Sequence, residues 1–168
     1  MYDAEIYPVA REGRGAGLLT APRAGFDVAG DPLYTGGGFN GAVVAEFSRV
    51  QLYNPGFPAR IFQIMEIVII SPTAQVVYFF YTRTPFTNLA ARVTAAGGTG
   101  AGGVSEVRQQ NGAFPSDPTF TTVRIGADLP LRLIDRTYLL RAGDALAVLA
   151  GTANTQLLVT FTGREYPI

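Results

Sequence analysis

The side chains of this chain best equipped for chemistry are its carboxylates. From residue 43 onward they are Glu46, Glu66, Glu106, Asp117, Asp128, Asp135, Asp144 and Glu165. Two such acids flanking a glycosidic bond can divide the work of a general acid and a base or nucleophile. Their settings favour other roles. Asp117, Asp128 and Asp144 stand in Ser-Asp-Pro, Ala-Asp-Leu-Pro and Ala-Gly-Asp, turn contexts in which a short acid bonds nearby backbone. Glu66 lies within Ile64-Met65-Glu66-Ile67, where an unpaired carboxylate would be costly. An Arg partner or an interface position is expected for it, and structural pairing is favoured over catalysis. The clustered Asp-x-Asp-x-Asp-Gly spacing of a calcium loop is absent from the sequence.

The chain contains no Cys and no His. Thiolate and imidazole chemistry is therefore closed to it, which removes zinc and copper centres and the Ser-His-Asp and Cys-His nucleophile systems. The Gly-rich stretch 95–103, AAGGTGAGG, lacks the Gly-Lys-Ser/Thr ending and the following helix of a phosphate-binding loop, and reads as a flexible loop. No cofactor, no metal and no catalytic residue is expected; the reading is non-enzymatic.

Composition narrows the partners. The chain has 168 residues, 48% apolar and 15% charged, with 13 basic residues balancing 13 acidic ones. Typical soluble domains are about 25% charged. Neutral net charge without a run of like charges disfavours nucleic acid and anionic membranes as partners, since both attract clustered positive charge. Every basic residue is Arg, a side chain that stacks and pairs well in protein interfaces. The N-terminal stretch has an acidic start and no apolar core, so no secretory signal is expected. The most apolar stretch, 61–70, is far shorter than the roughly 20 residues of a membrane span.

The elements that would position these residues are strands. The first 42 residues carry Gly13, Gly15, Gly17, Gly25, Gly30, Gly36, Gly37, Gly38 and Gly41 with Pro8, Pro22 and Pro32, and read as an extended arm. Its apolar residues Tyr2, Tyr7, Leu18, Leu19, Phe26, Tyr34 and Phe39 are too many for a solvated linker and are read as anchors for a partner surface. From residue 43 to 168 short β-rich runs alternate with turn residues, near 43–53, 60–70, 75–83, 88–93, 104–109, 119–125, 131–135, 137–141, 145–150 and 156–164. That spacing predicts an all-β, antiparallel β-sandwich, jelly-roll-like, with an N-terminal arm. In 157–164 one parity is apolar and the other polar, as a half-buried strand requires. In 61–70 and 76–81 both parities are apolar. One sandwich face cannot bury both, so a second cover is expected, from the arm or another subunit. Val76, Tyr78 and Phe80, or their neighbours of opposite parity, are the expected self-association face.

The segment Arg49-Val50-Gln51-Leu52-Tyr53-Asn54-Pro55, then a turn and the apolar run from Arg60, resembles small virion-associated β-sandwich proteins of tailed bacteriophages. In that group a strand ending in Val-x-Leu-x-Asn-Pro enters a turn and an Ile/Val-rich strand. The stretch Tyr138-Leu139-Leu140-Arg141-Ala142-Gly143-Asp144-Ala145-Leu146-Ala147-Val148, then a turn and 157–165, is similar to the last hairpin of jelly-roll modules in the same setting. The likeness covers roughly 45–166 and omits the arm. It implies a virion structural protein, made in the host cytoplasm and located on the capsid surface. Its role would be that of a head decoration (cement) protein that forms a homotrimer and stabilises the major capsid protein or another virion protein. A second expectation is a head or tail fibre or spike module that holds a host receptor or glycan, with loop aromatics Phe57, Phe86, Phe114 and Phe120 and polar partners Asn88, Gln109, Gln110 and Asn111. A glycosidase ranks third, because the acids are dispersed.

Overall fold

A computed structural model describes residues 33–56, 60–95, 102–116, 121–134 and 138–167. The expected anchors Tyr2, Tyr7, Leu18, Leu19 and Phe26 lie outside the described residues. So do Phe57, Asp117, Phe120 and Asp135.

The described residues form eleven strands. They are β1 (Tyr34–Asn40), β2 (Phe47–Tyr53), β3 (Arg60–Ile70), β4 (Gln75–Thr82), β5 (Asn88–Ala95), β6 (Gly102–Gly112), β7 (Thr121–Ile125), β8 (Leu131–Leu133), β9 (Tyr138–Leu140), β10 (Ala145–Ala150) and β11 (Leu157–Pro167). Neighbours run in the order β7-β4-β10-β2-β6-β5-β1-β11-β3-β8, and β9 also pairs with β3. All of the pairings are antiparallel. The sheet curls on itself, so that β7-β4-β10-β2 form one layer and β1-β11-β3 with β8 and β9 form the other. β10 is inserted between β2 and β4, strands far earlier in the chain, the long return connection of a Greek-key sandwich. The fold is all-β, as the spacing of the apolar runs predicts.

One core fills the space between the layers. Val50 and Leu52 of β2, Phe79 of β4 and Val148 of β10 meet Phe62, Ile64, Ile67 and Ile69 of β3 and Val159 and Phe161 of β11. β11 keeps the expected alternation: Leu157, Val159 and Phe161 are fully buried, and Leu158, Thr160, Thr162 and Arg164 turn outward, half-buried.

β3 resolves its two apolar parities internally. Glu66 pairs with Thr162 and Ile64 with Gly163, so the register shifts there and Met65 is the extra residue of a bulge. The bulge flips the parity. Phe62 and Ile64 before it, and Ile67 and Ile69 after it, all face the same core and are at most 1% exposed. The apolar surface of 61–70 left outside the core thus shrinks to the half-buried Ile61, Val68 and Ile70 and the exposed Met65. Gly163 opposite the bulge has no room for a side chain, because a Cβ there would run into the Gln63 carbonyl oxygen.

Residues 34–40, read from sequence as part of the arm, are strand β1. They pair with β11 from Tyr34↔Gly163 to Asn40↔Leu157, and with β5 at Tyr34 and Thr35. The close packing needs glycine: a Cβ on Gly38 would stand 2.8 Å from Val50 Cγ1 and 2.9 Å from Val107 Cγ1.

Candidate functional site

The outer face of β4 is covered by the chain's own connections. Strand register sets Phe80 beside Ala147 and Ala147 beside Gln51. Phe86, from the segment between β4 and β5, packs onto Phe80, Ala147 and Leu149 as a second apolar cluster. Gln51 is fully buried. Its Nε2 donates to Thr84 O at 3.0 Å and its Oε1 accepts Phe86 N–H at 2.8 Å. Arg108 Nη1 donates to Phe86 O at 2.9 Å, and the Arg49 guanidinium lies 6.0 Å from the Phe86 ring centroid. Phe114, between β6 and β7, packs edge-on against both Phe47 and Tyr78 with centroids 5.1 Å apart.

This arrangement revises two sequence expectations together. Of the expected self-association residues, Phe80 is only 3% exposed, and Val76 and Tyr78 are half-buried; the opposite parity, Val77 and Phe79, is core. The covering rings are Phe86 and Phe114, two aromatics expected to face a receptor; Phe86 is buried, whereas Phe114 stays 42% exposed. Two of the four expected polar partners are also engaged. Gln110 Oε1 accepts Thr87 N–H at 3.1 Å, and Asn111 Oδ1 accepts from Asn40 Nδ2 at 2.8 Å. Gln109 is half-buried and Asn88 is exposed.

The carboxylates are dispersed, and Glu66, Glu106, Asp144 and Glu165 meet guanidinium groups. Glu66 meets Arg132 at 2.6 Å, the first of the two settings, Arg partner or interface position, expected for it. Glu106 stands between Arg92 at 3.1 Å and Arg108 at 2.7 Å. Glu165, nearly buried, accepts Val104 N–H at 2.9 Å and Ser105 N–H at 3.1 Å, with Arg60 4.0 Å away. Asp128 sits in a turn at φ 56° and donates its N–H to Ser71 O at 2.8 Å. Glu46 is half-buried, and its carbonyl accepts Asn154 N–H at 2.8 Å. Strand register sets no two of the described carboxylates opposite each other.

One group of uncovered apolar residues lies at one end of the sandwich. Phe39, Leu158 and Ile70 stand side by side across β1, β11 and β3; Phe39 is 53% exposed and the other two are half-buried. The next turn, closed by Glu46 N–H donating to Val43 O at 3.1 Å with Ala45 at φ 65°, raises Val44 to 79% exposure. The Asp128–Ser71 bond brings the turn carrying exposed Leu129 to the same end. Tyr34 and Phe39, grouped by the sequence as arm anchors, lie on opposite faces of β1: Tyr34 packs against the core and Phe39 faces out. The signal for this was the alternation of 34–40, masked by three consecutive glycines.

At the opposite end, where β4 and β2 finish and β10 begins, Tyr81, Thr82, Arg83, Leu139, Arg141 and Asp144 line an open groove of about 490 Å³. Arg83 Nε donates to Asp144 Oδ1 at 2.9 Å, and Arg141 N–H donates to Asp144 Oδ2 at 3.3 Å. Burial, then the neighbouring Tyr138 and Asp144, push the Tyr81 phenol above its ordinary value.

Comparison with known proteins finds no matching family, no matching curated protein and no matching solved structure.

Proposed function

We propose that this chain is a non-enzymatic structural protein of a virion, a capsid decoration or cement protein that associates with itself as a homotrimer and stabilises neighbouring capsid subunits. The observation that carries the reading is the Phe39–Leu158–Ile70 row together with the exposed Val44 and Leu129 at the same end. Exposed apolar surface of this kind marks contacts with protein when its neighbours are polar. A specific interface needs roughly 1,200 Å² or more of buried area. The charge-poor, neutral composition lowers the desolvation such burial requires. A cement protein works by adding interface area to a shell strained by its packed genome. In this reading the arm residues Tyr2, Tyr7, Leu18, Leu19 and Phe26 supply further anchors, at an ordering cost on binding. The self-association surface moves from Val76, Tyr78 and Phe80 to Phe39 and Val44.

Light scattering of the full chain, followed by imaging of particles that contain it, tests the proposal. A trimer in solution and density for the chain on the shell surface support it; a monomer that leaves the shell undecorated overturns it. A deletion that removes the arm must stop at residue 32, because Tyr34 already contributes to the core.

A further inference from the structure

We propose that the open groove between the end of β4 and the β9–β10 turn is a binding site for an acidic sugar, a pyranose that carries a carboxylate. This site lies at the other end of the sandwich from Phe39 and Val44 and does not depend on the assembly reading. It is an open groove of about 490 Å³, large enough for one sugar ring to lie against its wall, since small-ligand sites run from about 300 to 1,000 Å³.

The walls are built in advance. Tyr81 and Thr82 are held in the sheet opposite Leu146 and Ala145. The turn that carries Arg141 and Asp144 is fixed by Asp144 N–H donating to Arg141 O at 2.9 Å, with Gly143 at φ 87°. Asn54, fully buried, ties that turn to the body of the fold. Its carbonyl accepts Gly143 N–H at 2.8 Å, its N–H donates to Asp144 O at 3.0 Å, and its Nδ2 donates to Leu140 O at 2.9 Å and Arg60 O at 2.7 Å. A preformed site avoids the ordering cost that weakens binding to loose loops.

Charge selects the ligand. The lining holds two guanidinium groups, Arg83 and Arg141, and one carboxylate, Asp144. Asp144 is occupied on both oxygens by Arg83 and by the Arg141 backbone. The Arg141 guanidinium is exposed and has no acceptor among the described residues, which leaves one planar cation for a bidentate carboxylate. The remaining surface suits a pyranose ring. Tyr81 and Leu139 are 48% and 50% exposed and offer apolar area to the C–H face of a sugar. Thr82 Oγ1 already accepts Thr84 N–H at 3.1 Å, so its own proton is left to donate to a sugar hydroxyl.

Calorimetric titration of the full chain tests the site with four probes: a glucuronate-containing tetrasaccharide, 3′-sialyllactose, the carboxyl-reduced tetrasaccharide and a hexaglutamate peptide. The expected result is binding of at least one acidic sugar, with affinity at least tenfold lower for Arg141→Ala and for Tyr81→Ala. The carboxyl-reduced sugar is expected to bind at least tenfold more weakly to the unmodified chain, a comparison that needs no variant. Absence of binding by both acidic sugars, equal binding of the reduced one, or an unchanged affinity in Arg141→Ala overturns the proposal. Hexaglutamate binding as tightly as the sugars overturns it in favour of an acidic-peptide site.

Discussion

Gln51 and Phe86 are locked together by a hydrogen bond from the Phe86 N–H to the Gln51 side-chain oxygen at 2.8 Å, while the same amide's nitrogen donates to Thr84 O at 3.0 Å. Together with the Arg108 and Gln110 bonds to the same segment, this buried amide holds the β4–β5 connection over the outer face of β10, with the Phe86 ring on Phe80, Ala147 and Leu149. Gln51→Leu keeps the volume and leaves a buried N–H and a carbonyl without partners. Each such group costs about 1–3 kcal/mol, so a loss of about 2–4 kcal/mol in urea unfolding is expected, with increased binding of a hydrophobic dye as Phe80 becomes uncovered. An unchanged urea midpoint would show that the connection is held by other contacts.

Adjacent glycines of β1 should respond differently to the same change. Gly38 faces Val50 and Val107, with less than 3 Å available to a Cβ, whereas a Cβ on Gly37 meets Thr160 Oγ1 at 3.2 Å on the outer face. Gly38→Ala is expected to destabilise by about 1–3 kcal/mol through overpacking. Gly37→Ala should be neutral within about 0.5 kcal/mol, since Ala also relieves the entropic cost of Gly in a strand. Paired denaturant curves decide this; equal effects would contradict the placement of β1 in the sheet.

The two best-defined carboxylates differ in the same calculable way. The Glu66–Arg132 pair is open to solvent, with side chains 21% and 65% exposed, so Glu66→Gln should change stability by less than about 1 kcal/mol. Glu106 is 7% exposed and grips two guanidinium groups. Glu106→Gln should cost about 2–3 kcal/mol, the range of hydrogen bonds to charged groups. A larger loss at Glu66 than at Glu106 in thermal unfolding would reverse this account.

Tyr81 predicts an alkaline signature. Burial, Tyr138 and Asp144 raise its phenol above the ordinary value of 10.0, so the folded chain keeps this proton at a pH where the unfolded chain has released it. The resulting stability is fully present below about pH 10 and is lost as pH rises through the higher folded value. Stability measured from pH 9 upward should fall less steeply in Tyr81→Phe than in the unmodified chain, and the variant should lose one late-titrating phenol near 295 nm. Identical slopes would remove Tyr81 from the account.

Much of the fold was legible because Gly, Pro and short polar runs punctuate it, and because Leu157, Val159 and Phe161 alternate with polar neighbours. Three features were hidden for distinct physical reasons. The strand Tyr34–Asn40 carries Gly36, Gly37 and Gly38, which have no side chains to display a period. The bulge at Met65 depends on pairing with Thr162 and Gly163, distant in sequence, and converts an apparently two-faced strand into a one-faced one. The cover over Phe80 depends on Gln51 reaching Thr84 and Phe86, a contact with no local signature. Of the functional residues, Glu66 could be narrowed from its apolar neighbours to an Arg partner or an interface position; which of the two depends on Arg132, distant in sequence. The Tyr81–Arg141 groove could not be found, because only the order β4-β10 brings those residues together.

The mass of the full chain in solution tests the central claim most directly. Sedimentation equilibrium should give three times the 17.9 kDa of the chain. Phe39→Asp combined with Val44→Asp should return it to the single-chain mass without loss of β structure. A mass of 17.9 kDa for the unmodified protein across a wide concentration range would contradict self-association through this apolar end.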